Sequence, residues 1–188
     1  MLTYFEMEMI YTIGHSTRSI EDFIKILQAY EITLLVDVRT VPKSRHVPQF
    51  NSENLERSLK EQHIKYVHLA ELGGLRKPHR DSLNLGWKNA SFRGYADYMQ
   101  TEEFSKGMDR LIKLAKKHTV VIMCAEAVPW RCHRSLIGDA LLARKIKVSD
   151  ILSETKSQAH KKTSFAKIRG LKIIYPARGL RQLSILLQ

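Results

Sequence analysis

An apolar run near residue 120 constrains the fold of this chain more than any other feature. Residues 120–123 read Val-Val-Ile-Met, a short and partly β-branched run that is typical of a strand buried on both faces. A turn at Pro129 follows, and residues 136–141 then place apolar side chains at helical spacing. Because both faces of such a strand need cover, the pattern predicts a sheet enclosed between helices.

Strands and helices alternate along most of the chain. Further strands are predicted over residues 10–13, 32–36, 64–69 and 148–152, and helices over residues 20–27, 51–62, 92–99 and 102–117. This order predicts an α/β fold, a Rossmann-like three-layer domain with a mainly parallel sheet. We expect an N-terminal extension (residues 1–9), the α/β domain (residues 10–153) and a basic C-terminal segment (residues 154–188). In that segment, residues 154–168 read as mobile and polar, and residues 173–176 as a short edge strand.

The charge of the chain is strongly positive and unevenly distributed. The formal net charge is +12 over 188 residues, and from Glu154 onward eight Lys and Arg residues face that single acid. This asymmetry predicts an anionic partner, a nucleic acid rather than a membrane, because the segment has no clear amphipathic helix. No apolar run is long enough to span a bilayer. The acidic start of the chain does not resemble a signal peptide, and Met9 is an alternative to Met1 as the initiator. With only two cysteines, we expect a cytoplasmic protein with reduced thiols.

Polar and reactive residues follow each of four predicted strands. In chain order they are His15 and Ser16, Asp37 and Arg39, His68 and Glu71, and Cys124 and Glu126. The carboxyl ends of parallel strands share one edge of a sheet, where ligands bind in open α/β folds. The sequence therefore predicts that these residues converge on one site.

Five separated motifs in these regions also resemble a known family. They are TIGHS at 12–16, DVR at 37–39 with Pro42, Ser44 and Arg45, LGG at 72–74, GYADYM at 94–99, and CAE at 124–126 with CHR at 132–134. Over residues 10–152 the chain is similar to domain-of-unknown-function family 488. Members of this family are small α/β proteins, most of them prokaryotic. The resemblance therefore implies such a fold, with the site at these motifs. It implies no particular reaction.

Two cysteines stand on either side of the turn at Pro129. Cys124 ends the buried strand near a helix N-terminus and several arginines, which favours its thiolate and a nucleophilic role. The alternative is an inert core thiol. Cysteine phosphatases place Arg six residues after the nucleophile, whereas Arg131 comes seven after Cys124, so that pattern is not met.

Cys132 and His133 open the helix that follows. They fit a nucleophile and its base, metal ligands together with Cys124 and His15, or, for Cys132, a catalytic or sensing disulfide with Cys124. The spacing between the cysteines matches no familiar zinc pattern, so we predict no metal. A Gly-x-Gly-x-x-Gly fingerprint is missing after the first strand, so we predict no dinucleotide or other cofactor.

Charged groups complete the candidate site. Glu126 is the carboxylate best placed to act as base or nucleophile, because neighbouring arginines keep it ionised. Arg134, at a helix N-terminus, suits a phosphate, or else forms an ion pair with Asp37 or Glu126. Asp37 and Arg39 either contact the ligand or pair with each other.

We expect an enzyme, a hydrolase or transferase, that acts on a phosphate-bearing substrate such as a nucleotide or nucleic acid. Glu126 or Cys124 would do the chemistry and His15 or His133 would move the proton. The remaining candidate binding residues are Ser16, Asp37, Arg39, Arg45, Gly73, Gly74, Tyr95, Tyr98, Cys132 and Arg134. The alternatives are a non-catalytic nucleic-acid-binding or regulatory module, and a thiol redox sensor built on the two cysteines.

Overall fold

The computed structural model describes residues 9–177, which build two sheets and five α-helices. The strands are β1 (Met9–Gly14), β2 (Leu34–Asp37), β3 (Lys65–His68), β4 (Val120–Cys124), β5 (Lys147–Ser153), β6 (Lys156–Ala159), β7 (Lys167–Arg169) and β8 (Lys172–Ile174). The helices are α1 (Ile20–Ala29), α2 (Ser52–Glu61), α3 (Ala90–Tyr98), α4 (Glu102–Ala115) and α5 (Arg134–Ala143). The N-terminal extension, except Met9, lies outside the described residues, as do Arg178 and Arg181 of the basic segment.

The main sheet has six strands in the order β3-β2-β4-β1-β5-β6. The first five pair in parallel, and β6 pairs antiparallel with β5 at one edge. Strand β4 lies between β1 and β2, so it is covered by strands on both sides and its five residues are all buried. The predicted α/β architecture with a mainly parallel sheet is confirmed.

Helices cover the two faces of the sheet and divide the core in two. Side chains of α1 and α2, such as Phe23 and Leu59, pack with Phe50 and Leu35 on one face. Side chains of α3, α4 and α5 pack on the other face, together with Val36 and Val38 of the chain around β2. Neighbouring residues of a strand therefore belong to different cores, as the period of two requires.

The helix boundaries follow local sequence signals. The Ser19 hydroxyl accepts a hydrogen bond from the backbone N–H of Asp22, 3.1 Å away, and so caps α1. Thr101 caps α4 through the N–H of Phe104, and the break between α3 and α4 falls at this residue and Gln100. The capping hydroxyl of Thr101 explains why the apolar pattern of residues 92–117 yields two helices.

The basic segment is more structured than its sequence indicates. Residues 154–168, expected to be mobile and polar, include β6, which extends the main sheet beyond β5. Residues 172–174 form β8, which pairs with β7 in a separate two-stranded sheet and is not an edge strand of the main sheet. Ile173 and Tyr175 are buried in the core on the α3–α5 face. No helix within residues 9–177 has the length and apolar character needed to cross a membrane.

Candidate functional site

Most of the residues predicted to converge lie at the carboxyl edge of the sheet, but they divide between its two faces. His68 and Glu71 join neither group: His68 Nε2 bonds to the carbonyl of Arg39, and Glu71 forms an ion pair with Arg110 of α4. His15 stacks on Phe50, which belongs to the core beside α1 and α2. Cys124 and Cys132 belong to the core beside α3, α4 and α5. The chain therefore has an open cleft on one side of the strand ends and a buried thiol cluster on the other.

The cleft has a volume of about 440 Å³ and lies between three loops. These loops follow β1, β2 and β4, the three strands at the centre of the parallel sheet. The lining residues are His15, Ser16, Thr17, Arg39, Val41, Lys43, Ser44, His46, Val47, Ala125, Glu126 and Ala127. Of the predicted site residues, His15, Ser16, Arg39 and Glu126 are among them.

An ion pair fixes the base of the cleft. Arg39 donates from Nε to Oδ1 of Asp37 at 2.9 Å and from Nη2 to Oδ2 at 2.6 Å, and both residues are buried. Arg39 Nη2 also donates to the carbonyl of Phe50, and the hydroxyl of Tyr66 donates to Asp37. Two-point pairing holds the guanidinium in one orientation, so Arg39 presents its remaining Nη1 group toward His15.

His15 is held as a neutral imidazole. Its Nδ1–H donates to the carbonyl of Ser16 at 2.8 Å, and its Nε2 accepts from Nη1 of Arg39 at 3.3 Å. Burial, followed by the positive charges of Arg39 and Arg134, lowers the pKa of His15 to about 4. Both ring nitrogens are already hydrogen-bonded, which favours a role for His15 in orienting Arg39 over the transfer of a proton.

The rim of the cleft carries exposed charges on an ordered loop. The backbone N–H of Ser44 donates to the side chain of Asn51 at 2.7 Å, and the Ser44 hydroxyl accepts from the N–H of His46. Lys43 and His46 are exposed there, opposite the exposed Glu126. Arg45 is exposed on the same loop but does not line the cleft.

Arg134 lies inside the domain and does not line the cleft. It is 1 % exposed, donating from Nη1 to the Thr12 hydroxyl and from Nη2 to the carbonyl of Glu126 at 2.5 Å. Among the described residues its Nε group has no hydrogen-bond partner. Arg134 therefore positions the backbone of Glu126. Its positive charge also acts on the cleft and on the thiols from inside the domain.

The second group of residues is a cluster of two thiols and an imidazole. The Nδ1 atom of His133 lies 3.9 Å from the sulfur of Cys124 and 3.7 Å from that of Cys132. The Nε2–H of His133 donates to the carbonyl of Val38 at 2.9 Å, so Nδ1 presents its lone pair to the sulfurs. Both cysteines are free thiols.

The two thiols differ in acidity, in the opposite sense to the sequence-based expectation. The hydrogen bond with Cys132 and burial raise the pKa of Cys124. The hydrogen bond from Cys124, the neighbouring His133 and the charge of Arg134 lower the pKa of Cys132. The N–H of Arg134 also points to the Cys132 sulfur at 3.5 Å, so a helix start favours charge on this sulfur.

The glycine and tyrosine motifs surround the thiol cluster and not the cleft. A Cβ atom at Gly74 would lie 3.0 Å from Nδ1 of His133, and the ring of Tyr95 lies 5.0 Å from the His133 ring. The Tyr95 hydroxyl donates to the carbonyl of Leu72, one residue before Gly73. Tyr98 donates to the carbonyl of Glu71 and packs under Arg76. These contacts fix the loop after β3 against His133.

Sequence reasoning missed two groups of residues. Lys43 and His46 line the cleft beside Ser44, and their signal was the polar stretch between Pro42 and Pro48. A buried network joins Asp139, Asp150, His160 and Tyr175 on the other side of the domain. The sequence sign of this network was Asp139, a charged residue among the apolar residues of α5.

The family model described as "Domain of unknown function DUF488" matches residues 19–141 of this chain. No curated protein and no solved structure matches this chain. The matched range includes both cysteines, His133, the Asp37–Arg39 pair and the glycine and tyrosine motifs. It covers more than half of the 188 residues, and the chain therefore belongs to the DUF488 family.

Proposed function

We propose that this protein is a cytoplasmic enzyme, a hydrolase or transferase, that acts on a phosphate-bearing small molecule or nucleic acid in the cleft. The observation that carries the proposal is the lining of the cleft at the carboxyl ends of β1, β2 and β4. Ligands of open parallel α/β folds bind at this edge. Two free thiols are consistent with a reducing compartment.

Cationic and hydroxyl groups in the cleft suit a phosphate. Lys43 offers a charged donor at the rim, while the hydroxyls of Ser16, Thr17 and Ser44 offer neutral donors. At the base, Arg39 is already paired with Asp37, so its net contribution to anion affinity is small. Lys43 is therefore expected to contribute most of the charge-assisted binding.

Glu126 is the one carboxylate among the lining residues. A carboxylate beside a phosphate weakens binding through like-charge repulsion, so its place in an anion site suits a reactive role. In a hydrolase it would accept a proton from the attacking water, and in a transferase from the acceptor hydroxyl. Arg134 holds the backbone of Glu126 and so limits where the carboxylate can move.

Paired substitutions separate catalysis from binding. A panel of nucleotides, short oligonucleotides and inorganic phosphate is titrated at low salt, and turnover of each bound compound is followed. Glu126→Gln should keep or tighten binding, because a negative charge is lost, while turnover falls about 100-fold or more. Lys43→Gln should weaken binding by about tenfold.

His118→Gln serves as the matched control, because His118 lies at the opposite end of β4 from the cleft. The affinity and turnover of the His118→Gln variant should equal those of the unmodified chain. Binding without turnover in the unmodified chain would favour the non-catalytic module. Binding that Lys43→Gln leaves unchanged would place the ligand elsewhere and contradict the proposal.

A further inference from the structure

We propose that Cys124, Cys132 and His133 bind a zinc ion through two thiolates and one imidazole nitrogen. The three ligand atoms, both sulfurs and Nδ1 of His133, all lie within 4.8 Å of one another. This cluster lies on the α3–α5 face of the sheet, so the inference is independent of the function proposed for the cleft.

The distances from His133 to the two sulfurs are close to those of a tetrahedral zinc centre. Zinc bonds of about 2.3 Å to sulfur and about 2.0–2.1 Å to nitrogen place tetrahedral S and N ligands about 3.5 Å apart. The observed separations between Nδ1 and the sulfurs are 3.7 and 3.9 Å. The N–S distances therefore need to change by only a few tenths of an ångström. The two sulfurs lie within 4.8 Å of each other, so they need to approach by at most about one ångström to reach the ~3.8 Å of two tetrahedral thiolates, which side-chain rotation can supply.

His133 is already in the tautomer that binds metal. Its Nε2–H donates to the carbonyl of Val38, which leaves the Nδ1 lone pair free to face the thiols. A hydrogen bond from the distal ring nitrogen to a backbone carbonyl is the usual support of a metal-binding histidine. Gly74 and Tyr95 pack on the ring and keep this orientation.

The electrostatics of the cluster suit two thiolates and a divalent cation. The N–H of Arg134 points to the sulfur of Cys132 at the start of α5, a position that favours negative charge. Burying two thiolates without a cation is costly, whereas two thiolates and Zn²⁺ sum to zero charge. Soft sulfur ligands with one imidazole favour zinc over magnesium or calcium.

The local fold explains why the spacing of the cysteines hides such a site. Cys132 follows a single 3₁₀ turn, Pro129–Arg131, which returns the chain to the end of β4 where Cys124 lies. Among the described residues the cluster supplies three ligand atoms. A fourth position is thereby left for water or a substrate atom, as in catalytic zinc sites.

Cobalt substitution provides the direct test. The full chain is stripped of metal with a chelator, kept reduced, and titrated with Co²⁺ and then with Zn²⁺. We expect the absorption of tetrahedral cobalt–thiolate coordination at a single equivalent, and its loss when zinc displaces cobalt. Zinc should also protect both cysteines from alkylation in the folded protein until a chelator is added.

Ligand variants locate the ion. Cys124→Ser, Cys132→Ser and His133→Gln should each weaken zinc binding by more than ~100-fold, beyond the 10–100-fold typical of outer-shell changes. His118→Gln, at the opposite end of β4, should bind zinc as the unmodified chain does. Circular dichroism shows which variants are folded, and the cobalt spectrum of the unmodified chain tests the proposal even if none is.

Two results would overturn the inference. One is a folded, reduced chain that gives no thiolate–cobalt absorption. The other is formation of a disulfide between Cys124 and Cys132 at cytosolic redox poise in a chain that takes up no zinc, which would identify a thiol redox pair in place of a metal site.

Discussion

Gly14 determines how closely the loop after β4 approaches β1. A Cβ atom at this position would overlap the carbonyl oxygen of Glu126, the same oxygen that accepts a hydrogen bond from Arg134. The carbonyl of Gly14 itself accepts from Nη1 of Arg18 at 2.5 Å. The absence of a side chain at Gly14 therefore lets the carbonyl of Glu126 come close to β1, where the buried guanidinium of Arg134 reaches it.

Gly14→Ala should lower the free energy of unfolding by roughly 3 kcal/mol, because the added methyl group meets backbone that cannot move without breaking the Arg134 contact. Urea denaturation followed by circular dichroism measures the change. Gly170→Ala is the control, since φ is +58° there but nothing lies within 4 Å of the new methyl group. That change should cost about 1 kcal/mol from backbone strain alone. Equal, small losses for both variants would contradict the crowding argument.

The sequence was enough to predict the edge of the sheet at which the reactive residues meet. It was not enough to predict on which face of the sheet each of them lies. Asp37 and Val38 are neighbours in sequence, yet Asp37 holds Arg39 at the cleft and Val38 accepts the hydrogen bond from His133. The period of two requires such a division, but which face opens to solvent depends on how the helices cover the sheet. The low pKa of His15 likewise depends on burial beside Arg39, which its local sequence does not encode.

Strand β6 is held to the domain by a buried histidine between two carboxylates. His160 Nδ1 lies 3.2 Å from Oδ2 of Asp150 on β5, and Nε2 lies 3.3 Å from Oδ1 of Asp139 on α5. The hydroxyl of Tyr175 donates to the other oxygen of Asp139. Burial alone would lower the pKa of His160, but the hydrogen bonds and charges of Asp139 and Asp150 outweigh it and raise the pKa to about 9.

His160 should make stability depend on pH above neutrality. A pKa raised from 6.5 to about 9 gives a contribution that is complete below pH 6.5 and is lost as the pH rises through 9. The shift corresponds to roughly 3 kcal/mol. Urea denaturation of the unmodified chain and of His160→Gln at pH 6 and pH 9.5 measures it, and the advantage of the unmodified chain should shrink by most of that amount. An advantage that does not change with pH would show that His160 is uncharged in the folded protein.

The alternation of strands and helices was predictable because each of these elements buries a periodic apolar face, as α4 does with Phe104, Met108 and Leu111. Strand β6 was not, because its four residues, Lys-Ser-Gln-Ala, are all exposed and show no apolar alternation. Its conformation comes from pairing with β5 and from the anchor at His160. An edge strand of this kind is specified by its neighbours and leaves little trace in its own sequence.

At the scale of the whole molecule, the described part of the basic segment presents its charge on ordered backbone. Its exposed cations are Lys156 on β6, Lys161 and Lys162 in the following loop, and Lys167, Arg169 and Lys172 on β7 and β8. Deleting the segment would also remove His160 and Tyr175, which pair with Asp139 inside the domain. Neutralising side chains is therefore a cleaner test of nucleic-acid binding than truncation.

The basic segment is predicted to bind nucleic acid through phosphates and without sequence preference. Of its eight basic residues, about half engaging a duplex would give a log–log slope of affinity against salt of roughly −3 to −4. Replacing Lys156, Lys161, Lys167 and Lys172 with Gln should flatten the slope by about 0.9 for each lysine that contacts a phosphate. Fluorescence anisotropy with duplexes of two unrelated sequences measures both slopes.

A second variant removes the same charge from another surface. Lys106, Lys113, Lys116 and Lys117 are exposed on or directly after α4, so their replacement with Gln matches the change in net charge. If contacts at the basic segment hold the duplex, this control should lower affinity slightly through the long-range field and leave the slope nearly unchanged. Equal flattening by both variants would mean that net charge alone attracts the nucleic acid. If no duplex binds at low salt, the prediction for the basic segment is wrong and its lysines are solvated surface. The cleft is then the remaining predicted site for an anion.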